Sequence, residues 1–382
     1  MVQEITNQVP GSILFVHQGY ELYGSDRTLI QSVRATVCRW PSARITVLLP
    51  KDGALRTALL GVVGDVRVAD LWILRKSNLK GLRLRDLGGL LNKVSNARRM
   101  MNSYDVTYIN TVTVLDYLIA GLFARRPRIV HVHEIPTGFA RVLFSILLAM
   151  SRGFAIFNSQ ATRRSFTFPF WQRCSIVWNG VAAVPLPLET AHARLNLLVI
   201  GRMNSWKGQA IVLLAVSQMP AELRDRVRVR LVGSVFGEQD HFTDELVRII
   251  AEEGLWELVE MFPFAPDPYP HYSWADIIVV PSTKPEPFGL VAIEAMAAGR
   301  AVIAANHGGL SEIVVDGVTG SFIAPGSVES LTAAILGYLK DPTRAVTEGN
   351  AGRARFAAHF EENIYESKIT NIIAELAGGE FA

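Results

Sequence analysis

The stretch EPFGLVAIEAMAAGRAVIAANHGGLSEIV, residues 286–314, says most about the fold of this 382-residue chain. It follows an apolar run, residues 277–281, that is typical of a buried strand, and the small residues at 295–299 predict the body and end of a helix. A strand, a glycine-containing loop and a helix start place backbone N–H groups and the positive helix end where an anion can bind. Glu286 is expected in that loop and Glu294 near the helix start. Two carboxylates there would bind hydroxyls of the ligand, such as those of a sugar, and not its phosphates.

Three segments together resemble a known family. Residues 286–314 resemble the signature of the retaining glycosyltransferases of family 4: two glutamates separated by seven residues, a small-residue helix, a strand, a Gly-Gly turn and a further glutamate, Glu312. Upstream, LLVIGRMNSWKG at 197–208 resembles the family's strand–Gly–Arg–loop–Lys–Gly segment, and VWNGV at 177–181 resembles its Asn-Gly segment at the domain junction. The resemblance implies the GT-B fold, an α/β architecture of two Rossmann-like domains facing across a cleft.

The resemblance also implies roles for individual residues. The second domain would bind a nucleotide-sugar donor and the first an acceptor, with Glu286 on the donor sugar and Glu294 on the nucleotide ribose. The expected catalytic residues are Glu286, His133, Arg202 and Lys207. The expected donor-binding residues are Gly24, Gly201, Arg202, Lys207, Glu286, Phe288, Gly289, Leu290 and Glu294.

The chemistry of these side chains suits a diphosphate sugar. Arg202 can make bidentate contacts to phosphate oxygens, and Lys207 adds a mobile point charge. Both would stabilise a diphosphate more as it leaves, which accelerates the reaction. A carboxylate such as Glu294 accepts hydrogen bonds from two adjacent hydroxyls, as in a ribose diol. A pair of solvated loop charges is the plainer alternative for Arg202 and Lys207.

The first half carries a second set of candidates. Gly24 stands in YGSDRTL, which resembles the family's glycine-rich first loop, with Ser25 in place of its second glycine and Asp26 where a glutamate is commoner. His131 and His133 end the strand RIVHVHE and alternate onto the same face. The resemblance implies that His133 contacts the donor sugar or its leaving phosphate, whereas His131 is as well explained as a buried structural histidine.

The expected mechanism needs neither a metal nor another cofactor. The sequence has no Asp-x-Asp triplet beside a strand and no His/Cys cluster of the kind that holds a catalytic cation. A double displacement requires a carboxylate nucleophile, and none is clearly placed in the first half. Front-face retention, in which the leaving phosphate assists the acceptor hydroxyl, is the mechanism that the resemblance implies.

Charge and composition divide the chain into two domains. Apolar residues make up 49% of the sequence and charged residues 19%, which allows large buried cores. Residues 1–185 contain 23 Lys and Arg against 10 Asp and Glu, a net charge of +13, and residues 186–382 hold 15 against 25, a net charge of −10. A Pro/Ala-rich linker at 182–193 separates them. The expected domains are an acceptor-binding domain at 1–183, a nucleotide-sugar-binding domain at 184–360 and a helix at 361–382 that crosses back to the first domain.

Apolar runs alternate with helical patterns, which predicts parallel sheets covered by helices. Helices are predicted at 27–38 and 84–101. The predicted strands are 12–17, 44–49, 106–110, 128–133, 154–158, 175–178, 197–200, 229–232, 277–280 and 301–304.

The sequence favours a cytoplasmic location. The first residues, MVQEITNQVPGS, lack the layout of a signal peptide, and the most apolar run, 142–150, is too short to span a membrane. Cys38 and Cys174 lie far apart and give no disulfide framework.

A basic segment at 75–99 predicts contact with an anionic membrane. It holds eight Lys and Arg against one acid, Asp86, with leucines interleaved. The segment would dock on the inner face of the plasma membrane, where a lipid-linked acceptor is presented. An ordinary amphipathic helix with a basic solvent face is the alternative.

The leading interpretation is an enzyme that moves a hexose from a GDP- or UDP-linked donor to a glycan acceptor in bacterial polysaccharide, O-antigen or lipopolysaccharide biosynthesis. A GT-B transferase with a small soluble acceptor is the second. A nucleic-acid-binding protein using the basic half is a third, although no helix-turn-helix, zinc or aromatic-rich RNA motif supports it. A catalytically silent scaffold is a fourth.

Overall fold

The computed structural model describes residues 9–74, 87–169, 171–185, 193–235 and 241–378. The chain divides into two compact units. Unit 1 comprises residues 1–180 and 362–382, and unit 2 comprises residues 181–361. The sequence placed the two boundaries at 183/184 and 360/361.

Unit 1 is a parallel sheet with helices between its strands. Its strands are β1 Ser12–His17, β2 Arg44–Leu49, β3 Asp65–Val68, β4 Val106–Asn110, β5 Arg128–Val132, β6 Phe154–Phe157 and β7 Cys174–Ile176. Its helices are α1 Gly24–Arg39, α2 Ala54–Leu60, α3 Leu87–Asn102, α4 Leu115–Gly121, α5 Gly138–Ser151, α6 Gln160–Arg164 and α15 Glu362–Ala377.

The strand order of unit 1 is β3-β2-β1-β4-β5-β6-β7, and its strand pairs are parallel. The chain therefore runs outward from β1 through β2 to β3, and then returns to place β4 on the other side of β1. The carboxyl ends of β1 and β4 flank the point where the strand order reverses. Ligands of open α/β sheets bind in the crevice at such a point.

The helix α15 completes the core of unit 1. Its buried side chains Ile369 and Ile373 pack with Leu29 and Val33 of α1. The Tyr365 hydroxyl lies 2.6 Å from the Ser32 hydroxyl, and both groups are buried. The helical spacing of apolar residues near the end of the sequence thus corresponds to a helix that covers the first sheet.

Unit 2 repeats this architecture. Its strands are β8 Leu195–Ile200, β9 Val227–Val232, β10 Val259–Phe262, β11 Ile277–Val280, β12 Ala301–Ala305 and β13 Gly320–Ile323. Its helices are α7 Gln209–Ser217, α8 Ala221–Arg224, α9 His241–Glu252, α10 Tyr269–Trp274, α11 Leu290–Ala297, α12 Leu310–Ile313, α13 Val328–Lys340 and α14 Thr343–His359.

The strand order of unit 2 is β10-β9-β8-β11-β12-β13, again parallel. Its strands β11 and β12 are continuous apolar runs: all four residues of β11 and all five of β12 are buried, as expected of strands covered on both faces. The order reverses between β8 and β11. The segments that follow these two strands are those that the sequence singled out.

The structure bears on two predictions about membranes, the basic segment and the lack of a membrane-spanning helix. Of the basic segment 75–99, residues 75–86 lie outside the described residues, and the rest belongs to α3. Within the described ranges, no helix has both the length and the apolar character needed to cross a bilayer.

Candidate active site

Most of the predicted donor-binding residues lie in the crevice of unit 2. Gly201, Arg202 and Lys207 follow β8, and Glu286 follows β11, so all four lie beyond the carboxyl ends of the two strands at the reversal point. The predicted helix start after the EPFG loop is present as α11. This is where an open α/β sheet binds its ligand.

Lys207 and Glu286 form an ion pair in this crevice. The Lys207 Nζ donates to Glu286 Oε1 over 2.7 Å, and the Ser282 hydroxyl donates to the same oxygen. The Lys207 side chain is 18% exposed and that of Glu286 is 8% exposed. Burial alone would raise the pKa of Glu286, but the Lys207 charge, together with hydrogen bonds from Lys207 and Ser282, holds that pKa below its usual range. Glu286 is therefore a carboxylate near neutral pH.

Three glycines allow the loops of this crevice to touch. A Cβ on Gly208 would lie 2.2 Å from the Pro281 carbonyl oxygen, and one on Gly308 would lie 2.4 Å from that of Glu286. The Gly309 N–H donates to the Glu286 carbonyl over 2.8 Å. The Gly-Gly turn after β12 therefore holds the backbone of Glu286 in place, which explains in physical terms why the turn accompanies the glutamate motif.

The position of Glu294 differs from the prediction. We expected it near the helix start, but α11 begins at Leu290, which places Glu294 fifth in the eight-residue helix. The reason is Gly289, whose φ of +129° suits glycine and ends the loop one residue before Leu290. The half-buried carboxylate of Glu294 accepts a hydrogen bond of 2.6 Å from the Tyr272 hydroxyl.

The remaining donor-side candidates have well-defined surroundings. Phe288 is buried, and its ring lies edge-on to Phe360 with centroids 6.2 Å apart, so its side chain is structural while its backbone borders the crevice. Arg202 is half-buried, and its carbonyl accepts a hydrogen bond from the Gln209 side chain. The Lys207 ammonium lies 4.7 Å from the Trp206 ring centroid.

Sequence reasoning missed three residues of this site. The Ser282 hydroxyl donates a hydrogen bond to Glu286, and the Tyr272 hydroxyl donates one to Glu294. The third residue is His307, whose Nε2 lies 2.8 Å from the Ser282 carbonyl oxygen. Ser282 could have been suspected, because it lies two residues after β11, just before the motif. Tyr272 gave no signal, since it lies on α10 and reaches Glu294 only through the fold.

Glu312 lies in α12, directly after the Gly-Gly turn. The Arg355 guanidinium donates to the backbone carbonyls of Glu312 and Ile313, each over 2.8 Å. These contacts fix the backbone of Glu312.

The crevice of unit 1 contains a chain of hydrogen bonds. The His133 Nε2 lies 2.9 Å from Asn110 Oδ1, the Asn110 Nδ2 lies 2.9 Å from His17 Nδ1, and the His17 Nε2 lies 2.6 Å from Asp26 Oδ1. A proton on Nε2 of each histidine satisfies all three contacts. Asp26 also accepts from the Tyr23 N–H at the start of α1. Gly24, which was expected in a loop, is the first residue of α1, and the start of that helix is thus tied to His133, which directly follows β5.

His131 lies in β5 and His133 directly follows that strand, and the two side chains lie on the same side, as predicted, with ring centroids 4.0 Å apart. Burial lowers the pKa of His131 to about 3, and burial together with the neighbouring histidines lowers that of His133 well below its usual value. The His131 Nδ1 lies 2.6 Å from the Tyr108 hydroxyl, whereas its buried Nε2 has no hydrogen-bond partner among the described residues. Both imidazoles are therefore neutral at physiological pH.

Glu134 follows His133 in the same crevice. Burial raises the pKa of Glu134 to about 7, and its Oε2 accepts a hydrogen bond of 3.1 Å from the His133 N–H. Nearby, Thr111 has a φ of +109°, which a β-branched residue rarely adopts. A carboxyl poised near neutrality and a strained backbone both occur often at functional sites.

Across the part of the chain that the structure describes, no group of three or more His, Cys, Asp or Glu side chains is arranged to hold a metal ion.

The sequence is similar to those of known glycosyltransferases. The family model of glycosyl transferases group 1 matches residues 189–355. The lipopolysaccharide 1,2-N-acetylglucosaminetransferase of Salmonella typhimurium is 32% identical over 216 residues, which cover 52% of this chain and 56% of that protein. The D-inositol 3-phosphate glycosyltransferase of Thermobispora bispora is 34% identical over 203 residues, covering 50% and 47%. The chain spans about half the length of these curated relatives.

Solved structures match nearly the whole chain. Anabaena Alr3699/HepE in complex with UDP has a TM-score of 0.82 at 26% identity, covering 95% of this chain and 100% of that one. The glycosyltransferase WaaG, at 15% identity and a TM-score of 0.68, shares the fold. The chain therefore has the GT-B fold, and its residues 189–355 are similar to the glycosyl transferases group 1. The predicted fold and the glycosyltransferase resemblance are confirmed, while the assignment to family 4 stays a prediction.

Proposed function

We propose that the protein is a retaining, metal-independent glycosyltransferase that moves a hexose from a nucleotide-diphosphate sugar to a lipid-linked glycan acceptor. The observation that carries the proposal is the Lys207–Glu286 pair in the crevice between β8 and β11. It places a cation and an ionised carboxylate together at a site made for an anionic ligand. A diphosphate sugar offers a partner for each of them.

The donor side divides its tasks by charge. Arg202 and Lys207 would bind the diphosphate and stabilise its growing charge as it leaves. Glu286 would accept hydrogen bonds from the hydroxyls of the transferred sugar, and Glu294, positioned by Tyr272, would bind the ribose diol. HepE has been solved with UDP and with UDP-glucose, which favours a UDP-linked hexose over a GDP-linked one.

The acceptor side would use the crevice of unit 1. Neutral His133, whose Nε2 donates to Asn110, keeps its Nδ1 as a hydrogen-bond acceptor and carries no charge that would attract a phosphate. A front-face reaction needs no enzymatic nucleophile, because the departing phosphate takes the proton of the acceptor hydroxyl as the new bond forms. The enzyme would act in the cytoplasm, at the inner face of the plasma membrane.

Two relatives favour different acceptors. The name of the Salmonella typhimurium relative specifies lipopolysaccharide, which supports a glycan acceptor on a lipid. The name of the Thermobispora bispora relative specifies D-inositol 3-phosphate, which supports the alternative of a small soluble acceptor. Binding to membranes separates the two.

A thermal-shift panel of UDP, GDP, ADP and dTDP with their sugars tests the donor. The correct ligand raises the transition temperature by mass action, and UDP-hexoses are expected to do so.

With the donor known, Glu286→Ala should abolish turnover, whereas Glu312→Ala should retain most of it. Equal losses would contradict the role given to Glu286. Loss of turnover in EDTA would refute metal independence, and an inverted anomeric configuration of the product by NMR would refute retention.

A further inference from the structure

His307 is held in one orientation close to Glu286. It follows the end of β12 by two residues, and its Nε2 lies 2.8 Å from the Ser282 carbonyl oxygen. The Ser282 hydroxyl in turn donates to Glu286 Oε1. The His307 N–H donates to the Ala305 carbonyl over 2.8 Å, so both its backbone and its ring are fixed. The imidazole therefore belongs to the edge of the unit 2 crevice and is not a mobile surface side chain.

The contact with Ser282 determines which ring nitrogen of His307 carries the proton. A carbonyl oxygen only accepts hydrogen bonds, so the His307 Nε2 must be the donor. In the neutral imidazole, Nδ1 is then an acceptor. Among the residues whose structure is described, Nδ1 has no hydrogen-bond partner, and it is accessible to solvent. The ring thus presents one free acceptor nitrogen to a ligand.

The strand order places His307 beyond Glu286 as seen from Lys207. The three residues follow the neighbouring strands β8, β11 and β12, in the order Lys207, Glu286 and His307. Neighbouring strands lie about 4.8 Å apart. A ligand whose diphosphate contacts Lys207 and whose sugar contacts Glu286 would therefore reach His307 with the sugar.

Two further observations show that His307 and Glu286 lie close together. A Cβ on Gly308, the residue after His307, would lie 2.7 Å from the backbone nitrogen of Glu286. Burial would raise the pKa of Glu286, and the charge of a protonated His307 is among the effects that lower it, after those of Lys207 and Ser282. The imidazole and the carboxylate therefore border the same part of the crevice.

A free acceptor nitrogen favours a ligand group that donates. A phosphate oxygen is itself an acceptor and gains no hydrogen bond from Nδ1 of the neutral imidazole, whereas a sugar hydroxyl can donate one. Glu286 is likewise an acceptor, since its pKa lies below the usual range. Two acceptors at neighbouring strand ends match two hydroxyls of one hexose.

We propose that His307 is a specificity-determining residue of the donor site, whose Nδ1 accepts a hydrogen bond from a hydroxyl of the transferred hexose. The inference rests on the proposed function and adds a sugar contact to it. The alternative is a positioning role, in which His307 only holds Ser282 and, through it, Glu286.

Two substitutions of His307 separate these roles because each keeps the equivalent of a different ring nitrogen. Asparagine places an amide oxygen near the position of Nδ1, but it is too short to reach the Ser282 carbonyl. Glutamine places its amide nitrogen near the position of Nε2 and can keep the bond to Ser282, but it has no acceptor at the position of Nδ1.

Isothermal titration calorimetry on the full chain, without an acceptor, measures the effect. The ligands are the nucleotide sugar that the thermal-shift panel selects and its free nucleoside diphosphate, at about pH 8, because a proton on Nδ1 would remove its acceptor lone pair. Relative to the nucleoside diphosphate, the nucleotide sugar should bind His307→Gln about threefold to tenfold more weakly than it binds the wild type, as expected for one lost hydrogen bond. His307→Asn should change this ratio by less than about twofold.

Deoxy analogues of the hexose identify the hydroxyl. Removal of the hydroxyl that contacts Nδ1 should weaken binding to the wild type and to His307→Asn but cause no further loss in His307→Gln. His359→Gln is the matched control, because it makes the same substitution at the exposed end of α14, and it should leave the ratio unchanged. Circular dichroism and an unchanged affinity for the nucleoside diphosphate confirm that each variant is folded.

Two results would overturn the inference. An unchanged ratio in His307→Gln would show that Nδ1 contacts no sugar, and equal losses in His307→Gln and His307→Asn would show that the ring acts by holding Ser282. Both results leave the proposed donor class intact. Failure of every nucleotide sugar to bind would instead refute the proposed function, and this inference with it.

Discussion

Replacement of Lys207 by methionine tests the ion pair at the centre of the candidate site. Methionine keeps most of the apolar stem of lysine but removes the ammonium. Glu286 is then a buried carboxylate that retains the Ser282 hydroxyl as a partner. Removing one member of a buried pair typically costs about 3–5 kcal/mol. Because Ser282 remains and the Lys207 side chain is 18% exposed, we expect the lower end, about 3 kcal/mol at pH 7.

Replacement of Glu286, the other member of the ion pair, should lower the stability less than replacement of Lys207. Glu286→Gln leaves an ammonium whose flexible stem can turn towards water, so a loss of about 1–2 kcal/mol is expected. The double variant should be more stable than Lys207→Met alone, since it contains no unpaired buried charge. A double-mutant cycle of the four proteins gives the coupling between the two residues.

The difference in stability between Lys207→Met and the wild type should depend on pH. In the wild type the folded pKa of Glu286 is lowered, so the stability it contributes is present above its unfolded pKa of about 4.5 and is lost as the pH falls through the folded value. In Lys207→Met, burial would raise that pKa instead. Lys207→Met should therefore recover stability relative to the wild type between pH 7 and pH 5.

Urea unfolding followed by circular dichroism, at pH 7 and pH 5, measures these differences. The two units can unfold in separate transitions, and only the one assigned to unit 2 should change. Equal stability of Lys207→Met and the wild type at pH 7 would refute the argument. So would a deficit of Lys207→Met that grows on acidification.

Three further predictions concern other contacts. Gly308→Ala places a Cβ 2.4 Å from the Glu286 carbonyl and should lower both stability and turnover, whereas Gly326→Ala, at a similar positive φ but with open space around its Cβ, should cost only about 1 kcal/mol in urea unfolding. Tyr272→Phe removes the hydrogen bond to Glu294 and should raise the KM for the donor several-fold with little change in kcat, measured by steady-state kinetics. His131 is held neutral with a pKa of about 3, so as the pH falls below about 6.5 its contribution lowers stability by roughly 1.4 kcal/mol per unit, a slope that His131→Asn should remove in unfolding measured from pH 7 to pH 5.

The sequence predicts the central strands well and the edge strands poorly. β1, β2 and β4 were predicted with the bounds that the structure has, because their buried positions are mostly apolar. β3, β10 and β13 were not predicted, and these are three of the four edge strands; the fourth, β7, was predicted at 175–178. Edge strands are partly exposed and carry polar residues, as in DVRV of β3, so their pattern resembles that of a loop.

The site could likewise be predicted only in part from the sequence. Local spacing identified Lys207 and Glu286, but it assigned them to different parts of the ligand and gave no sign that they bond each other across 79 positions. The Tyr272–Glu294 bond was equally hidden. The motif sets which residues border the crevice, whereas the fold determines which of them share a hydrogen bond before any ligand arrives.

The position of α15 has a consequence for how the protein forms. Unit 1 is interrupted after residue 180 and resumes at 362, so a ribosome releases all of unit 2 before the helix that covers the first sheet exists. Until then the apolar surface under Ile369 and Ile373 is open to water and to chaperones. Unit 2 has no such delay: Val181 pairs with Glu361, and the Val181 N–H donates to the Phe360 carbonyl, so its two ends meet. It is expected to reach its folded state first, with the donor crevice formed while unit 1 is still incomplete.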